Sequence, residues 1–327
     1  MPKSERSRES RRDGKGERSL RGRAVVQAPA TVGNFGPGFD AFALALHGLG
    51  DRIELRRSDE DALEVEGHDA VPREWKRNVA CVALDAARKA ARVKQRFEVR
   101  IRKSMPPGSG LGSSASSAGG AVLAFHAFRG VLTPEQLVLA AGEGEAVAAG
   151  RHYDDVAAVI MGGLAIVRNH GQGLHVSRVH PPEGLHLAVV LPQKSFATKE
   201  MRRILPAKVS REDAVANLGN AAALVQAFHD SDVEAIGACL GDRIATPARS
   251  KRMPWFEDVR EAALAAGGLG VALSGSGPAM VCVTSSRRAA GSVASAMQAA
   301  VEGHRVEAEA FAAVPEREVM HRAVALR

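Results

Sequence analysis

Aromatic residues make up only 4% of this 327-residue chain, with two Trp and one Tyr among them. A protein that reads nucleic acid by stacking bases on aromatic platforms needs more of them. Cysteine is equally sparse. Cys81, Cys239 and Cys282 lie far apart in apolar surroundings, with no CxxC and no metal-ligand spacing. They read as buried thiols of a reducing compartment, which leaves out a disulfide scaffold and a cysteine-held metal. No apolar run approaches the roughly 18 residues a membrane span requires. The first residues also lack the apolar stretch of a signal peptide. The expectation left by these absences is a soluble cytoplasmic protein.

What is present is ordinary in amount. The chain is 45% hydrophobic and 25% charged, enough to bury a normal core. Its length suits two compact domains. The formal net charge is +7, but between Met1 and Arg23 nine Lys/Arg stand against four acids, so this end carries +5 of it. Residues 1–22 have one Leu and no hydrophobic period, and are expected to form a disordered basic tail. Contact with nucleic acid is the competing use of such charge. A solvated extension is the plainer reading, because termini concentrate disorder.

Periodicity predicts strands over 23–28, closed by Pro29, then over 51–57 after an apolar stretch at 39–46, and over 97–101. Helices are expected over 78–92, 118–128 and 133–147, the last with Thr133 as N-cap before Pro134. Residues 156–167 are apolar around a Gly pair and read as a strand after the turn. Composition shifts to His, Gly, Pro and Gln over 170–184, so the domains are set at 23–175 and 176–327. The second half reads as a strand over 185–191, helices over 214–228, 233–240 and 260–266, strands over 270–273 and 279–284, and a helix over 289–301. Strands and helices mix without regular alternation, which favours an α+β fold.

The strongest local signal is Pro106-Pro-Gly-Ser-Gly-Leu-Gly-Ser-Ser-Ala-Ser-Ser117. Three glycines let the backbone turn tightly and approach a ligand. The chain then enters an Ala-rich helix, whose free N–H groups and positive end favour phosphate. It is not a Walker A loop, because no Lys-Ser/Thr follows the last glycine. Taken alone, a flexible turn before a buried helix explains it equally well.

The segment fits PxxxGLGSSA at Pro106, Gly110, Leu111, Gly112, Ser113, Ser114 and Ala115. In this it resembles the ATP-binding loop of the GHMP kinases (galactokinase, homoserine kinase, mevalonate kinase and phosphomevalonate kinase). Ala28-Pro-Ala-Thr-Val-Gly-Asn-Phe-Gly-Pro-Gly-Phe-Asp40 resembles the family's first motif in its homoserine kinase form, and Leu273-Ser-Gly-Ser-Gly-Pro278 resembles the third. The resemblance runs from about Arg23 to the end and implies a two-domain α+β fold: an N-terminal nucleotide-binding domain and a C-terminal ferredoxin-like domain. It implies ATP and Mg²⁺ as cofactors, held by Pro106, Gly108, Ser109, Gly110, Leu111, Gly112, Ser113, Ser114, Ala115 and Ser116, with Asn78 near the adenine. Glu143 and Glu145 both lie on the helix over 133–147. By its spacing to Gly150, Glu145 resembles the family's metal-binding glutamate, with Ser113 as the second ligand.

His152-Tyr-Asp-Asp-Val156 resembles the HxDNV segment of homoserine kinases, with Asp155 in place of Asn. The resemblance makes His152 and Asp154 substrate contacts. Asp155 is open between two roles: accepting the proton of the hydroxyl, or pairing with an Arg as a structural group. Thr198-Lys-Glu-Met-Arg-Arg-Ile-Leu-Pro206 and Asp242-Arg-Ile-Ala-Thr-Pro-Ala-Arg249 resemble two further segments of that family. They place Thr198 near the transferred phosphate, and Arg202 and Arg249 on a substrate carboxylate, which Arg binds in fixed geometry. Asn34 and Asp40 take the hydroxyl and ammonium end. The implied activity is ATP-dependent phosphorylation of L-homoserine, a step in threonine biosynthesis, and the family commonly forms homodimers. Two alternatives stand beside it: a GHMP kinase of mevalonate type, kept open by Asp155, and a silent metabolite sensor using the tail on nucleic acid. Intact Ser113, Glu145 and Thr198 argue against the sensor.

Overall fold

The structure, a computed structural model, describes residues 22–148, 150–169, 173–319 and 324–326. The basic tail, but for its last residue, lies outside them. β1 (Arg23–Gly33) and β2 (Phe42–Ser58) pair antiparallel along nearly their whole lengths. Pro29 does not end β1. The ladder shifts register between Pro29 and Ala30, and this irregularity accommodates a residue with no N–H to donate. Thr31 is therefore a strand residue. β2 is one 17-residue strand rather than an apolar stretch followed by a separate strand.

β3 (Ala62–Glu66) runs parallel to β4 (Arg96–Arg102), with α1 (Val79–Ala90) between them in sequence. Asn78 caps α1: its Oδ1 accepts from the Ala80 N–H at 3.0 Å. α2 (Ser113–Arg129) follows the Gly-rich loop, and nearly every residue of its first three turns is buried. α3 (Pro134–Ala148) opens with reciprocal bonds between Thr133 and Gln136, the capping expected of Thr133. α4 (Asp154–Met161) takes up the apolar residues before the Gly pair; Val156 to Ile160 are all buried, and a short, uniformly apolar run carries no period that marks it as a helix. The strand expected after the turn follows it. The Gly162–Gly163 turn then gives β5 (Leu164–Asn169), which pairs with β2 and with β6 (Leu174–Val179).

The chain changes sheets between Val179 and β7 (His186–Pro192). Next come α5 (Thr198–Arg203), α6 (Arg211–Asp230), α7 (Val233–Ala238), α8 (Thr246–Arg249) and α9 (Phe256–Ala265). β8 (Gly270–Leu273), β9 (Met280–Thr284), α10 (Arg287–Glu302) and β10 (Ala308–Ala313) complete an antiparallel sheet of order β10-β7-β9-β8. β11 (Val324–Leu326) returns to pair with β1. The result is the expected α+β architecture of two sheet-and-helix halves.

Three apolar clusters hold it together. One joins the first sheet to α1–α4, and another joins the outer face of the second sheet to α9 and α10. The third contains Val32, Phe35, Leu44, Leu111, Leu187, Phe228 and Val281 and so ties the halves to each other. Phe35 meets Phe228 edge-on, with centroids 6.0 Å apart. This shared core fixes the wall between the Gly-rich loop and the 273–278 turn. Among the described residues no helix is long and apolar enough to cross a membrane.

Candidate active site

The Gly-rich loop is held by both other motifs. Gly108, Gly110 and Gly112 all have positive φ, which glycine adopts without strain. A Cβ on Gly110 would lie 2.7 Å from the Ser274 carbonyl oxygen, and one on Gly112 would lie 1.9 Å from Thr31 Oγ1. Hydrogen bonds complete the knot. Ser274 Oγ donates to the Gly110 carbonyl at 2.6 Å, Ala279 N to Ser109 O at 3.1 Å, and Thr31 N to Leu111 O at 3.1 Å. The loop thus delivers the N-terminus of α2 to the wall of a cleft of about 360 Å³.

A buried cation stands beside that helix end. Lys103 Nζ donates to Asp51 Oδ2, to the Ser113 carbonyl at 2.7 Å and to Ser117 Oγ at 3.1 Å. Asp51 is fully buried and also accepts from Ser117 Oγ and the Ser104 N–H. Burial lowers the Lys103 pKa, against the pull of Asp51. Asp51 offsets the Lys103 charge, and the cluster anchors the first turn of α2 where helix N–H groups face the cleft.

Opposite it stands Glu145, 5% exposed. Burial pushes its carboxyl up to about 7, with Asp155 adding to the rise and Ser114 and Lys103 opposing it. Among the described residues its Oε1 has no hydrogen-bond partner. Glu143, the other acid considered, lies on the surface and pairs with Arg151 at 2.9 Å. Ser113 donates its hydroxyl proton to the Met105 carbonyl at 3.0 Å, which leaves the oxygen as an acceptor. An orphaned buried carboxylate oxygen and a hydroxyl oxygen beside a phosphate cradle are donors that suit Mg²⁺, which takes oxygen ligands and keeps several waters.

The far end of the cleft is charged. Arg202 donates through both terminal nitrogens to Asp40, one bond being 3.0 Å, and also to His152 Nδ1 at 3.0 Å. Arg249, nearly fully buried, donates to the Gly275 carbonyl at 2.7 Å. The guanidinium carbons of Arg202 and Arg249 lie 5.4 and 5.5 Å from the centre of the Phe39 ring, within cation–π range. Asn34 and Asp40 both have positive φ, and Asn34 Oδ1 accepts from the Asp40 N–H at 3.1 Å, locking the turn that aims Asp40 at the cleft. Asp154 opens α4. Burial raises its pKa well above the usual range, helped by the charges of Asp155 and Asp40. Asp155 is also raised by burial and by Asp40, against the hydrogen bond it accepts from Thr31. Thr198, at the first turn of α5, lies 3.5 Å from Ser276 across their hydroxyl oxygens.

Most of the residues singled out in the sequence therefore line one cleft: Asn34, Asp40, Asn78, Gly108 to Gly110, Gly112 to Ser114, Glu145, His152, Asp154, Asp155, Thr198, Arg202 and Arg249. Pro106, Leu111, Ala115 and Ser116 do not line it. Leu111 and Ala115 are core residues. The Ser116 hydroxyl is committed to the Ala28 carbonyl at 2.9 Å and the Asp51 N–H at 3.1 Å. The Asn78 amide is likewise occupied by Ala80 and by the Pro72 carbonyl, at 2.7 Å, so it contributes shape to the cleft. Asp155 pairs with Thr31 rather than with an Arg. The sequence reading missed Lys103, whose basic strand-end context carries no local signal. It also missed Ala70, Val71, Pro72 and Val79, which make one end of the cleft apolar.

Comparison with known proteins agrees with this geometry. The family description "GHMP kinases N terminal domain" matches residues 77–163, and "GHMP kinases C terminal" matches 224–303. A homoserine kinase of Pyrococcus abyssi is 42% identical over 260 residues, covering 79% of this chain and 86% of the relative. One of Pyrococcus furiosus is 41% identical over 287 residues, covering 87% and 95%. The crystal structure of homoserine kinase from Cytophaga hutchinsonii superposes with a TM-score of 0.85 at 33% identity, covering 92% of this chain and 97% of that one. Leishmania major mevalonate kinase, at 16% identity and a TM-score of 0.61, shares the fold. The chain belongs to the GHMP kinase family, among the homoserine kinases.

Proposed function

We propose that this chain transfers the γ-phosphoryl group of ATP to the hydroxyl of L-homoserine, giving O-phospho-L-homoserine for threonine biosynthesis. The observation that carries the reading is one cleft lined by three kinds of group: the apolar Ala70, Val71, Pro72 and Val79, the Gly-rich loop at the α2 N-terminus, and Asp40 with Arg202 and Arg249. The apolar surface of Ala70, Val71, Pro72 and Val79 suits a purine. The α2 end, Lys103 and the loop N–H groups suit the phosphates, where positioning and electrostatics do most of the catalytic work. Ser113 and Glu145 would hold Mg²⁺, whose charge would offset that of the phosphates when bound.

An amino-acid alcohol carries an ammonium and a carboxylate. Asp40 suits the first, and Arg202 and Arg249 suit the second. In the free protein Arg202 and Asp40 neutralise each other, so the substrate exchanges one ion pair for two. His152 and Asp154 border the same end, and Asn34 orients Asp40. Thr198 approaches the transferred group from α5. The residues from 23–175 hold the nucleotide in this reading, while Thr198, Arg202 and Arg249 come from 176–327. Asp155 takes the hydroxyl proton as general base: it lines the same cleft as the Gly-rich loop and Asp40, and among the described residues no Arg pairs with it.

Two analogues test the charge readers. Removing the ammonium (4-hydroxybutyrate) or the carboxylate (homoserinol) should lower kcat/KM by at least about 100-fold, because each removes a charged partner that Asp40 or the two arginines would bind. Equal turnover of 4-hydroxybutyrate would overturn the assignment of Asp40 and point to a hydroxy-acid substrate.

A further inference from the structure

Thr31 lies in none of the charged zones and is fully buried in β1. Its Oγ1 nevertheless donates to Asp155 Oδ1 at 2.6 Å, across 124 residues of chain. Its backbone N–H donates to the Leu111 carbonyl of the Gly-rich loop at 3.1 Å. The same residue thus ties together the strand, the phosphate loop and the carboxylate.

The surroundings leave that carboxylate little freedom. A Cβ on Gly33 would lie 2.8 and 2.9 Å from the two Asp155 oxygens, so only a glycine lets the carboxylate sit against β1. Gly112 likewise leaves the space that Thr31 Oγ1 fills, 1.9 Å from where its Cβ would be. Among the described residues Oδ1 carries the side-chain bond, which leaves Oδ2 for a substrate hydroxyl. A threonine hydroxyl has one proton to give, and here it is given to the carboxylate.

We infer that Thr31 is a positioning residue for phosphoryl transfer: its hydroxyl fixes Asp155 so that Oδ2 receives the proton of the substrate alcohol. This rests on the reading of Asp155 as the base. In the step, the alcohol oxygen forms a bond to the γ-phosphorus. The bond from that phosphorus to the β,γ-bridging oxygen breaks, its electron pair leaves with ADP, and the alcohol proton passes to Oδ2. Thr31 itself neither gains nor loses a proton. It holds one carboxylate oxygen so that the other lies within hydrogen-bond reach of the proton, the first requirement of a general base.

The test is a double-mutant cycle of Thr31→Val and Asp155→Asn, with Thr31→Ser as the conservative variant. Val keeps the shape and removes the hydroxyl. Thr31→Val should lower kcat by about 10- to 100-fold, with the KM values for ATP and homoserine changed less than about threefold. Thr31→Ser should stay within about threefold of the parent in kcat. In the Asp155→Asn background, Thr31→Val should change kcat by less than about twofold, because a positioning residue has nothing left to position. Melting temperatures of all five proteins accompany the kinetics. The inference is overturned if Thr31→Val acts equally in both backgrounds, if it raises KM with kcat unchanged, or if Asp155→Asn leaves kcat intact. A parent chain that phosphorylates another alcohol instead would defeat the homoserine assignment, and the same cycle on that alcohol would still decide the role of Thr31.

Discussion

Glu145→Gln removes a charge from a buried place that disfavours one. The carboxyl is buried and its pKa is pushed from the ordinary 4.5 up to about 7. Between those two values the folded protein keeps a proton that the unfolded chain has already lost, so stability falls as pH rises through the interval. The displacement of roughly 2.5 pH units, at 1.36 kcal/mol each, corresponds to about 3 kcal/mol lost by the time the group is fully ionised. Glutamine keeps the shape and cannot ionise. Urea unfolding of parent and variant in EDTA, at about pH 5 and about pH 8, should show Glu145→Gln more stable at the higher pH by up to about 3 kcal/mol, and the gap should shrink at the lower. The same variant should lose ATP-dependent turnover, since its amide cannot supply a charged ligand. A gap that is the same at both pH values, or a variant less stable at the higher one, would refute the reasoning. The protein would then hold Glu145 by a partner rather than keep it as a poised, costly charge.

Three further outcomes are expected. The pKa of Asp155 lies above its ordinary 3.8 because of burial, and a base works only when ionised. Log kcat should therefore fall with slope one as pH drops through a value above the usual carboxylate range, and Asp155→Asn should abolish that limb. Lys103→Met would strand the buried Asp51, and should cost about 3–5 kcal/mol in urea unfolding, far more than loss of a surface cation. Gly112→Ala places a Cβ 1.9 Å from Thr31 Oγ1 at φ 66°, whereas Gly130→Ala, at φ 60°, meets nothing within 4 Å. Both should pay about 1–3 kcal/mol for the left-handed backbone, but only Gly112→Ala should also impair ATP turnover in a coupled ADP-release assay.

What the sequence shows and what it hides differ by the range of the interaction. The Gly-rich loop is legible because its demands are local: positive φ at three glycines and a small-residue helix directly after. The capping of α3 by Thr133 is legible for the same reason. Lys103 with Asp51, Thr31 with Asp155, and Asp40 with Arg202 are each more than 50 residues apart. No periodicity announces such pairs, and a lone charged residue in a sequence reads as a solvated one. Arg202 and Arg249 were found only through the resemblance of their segments. α4 is not legible because all five residues from Val156 to Ile160 are buried, which erases the period that separates helix from strand, whereas the strand after the Gly pair is. Pro29 was taken as a strand end because a ladder irregularity is a property of the paired strand, not of Pro29.

The most direct measurement is ATP- and Mg²⁺-dependent phosphorylation with homoserine, mevalonate and galactose offered separately, the product identified by ³¹P NMR. Phosphate appearing on homoserine alone is the expected result and would confirm that Asp40, Arg202 and Arg249 read an amino-acid alcohol. Phosphorylated mevalonate or galactose without phosphohomoserine would contradict the account at its centre.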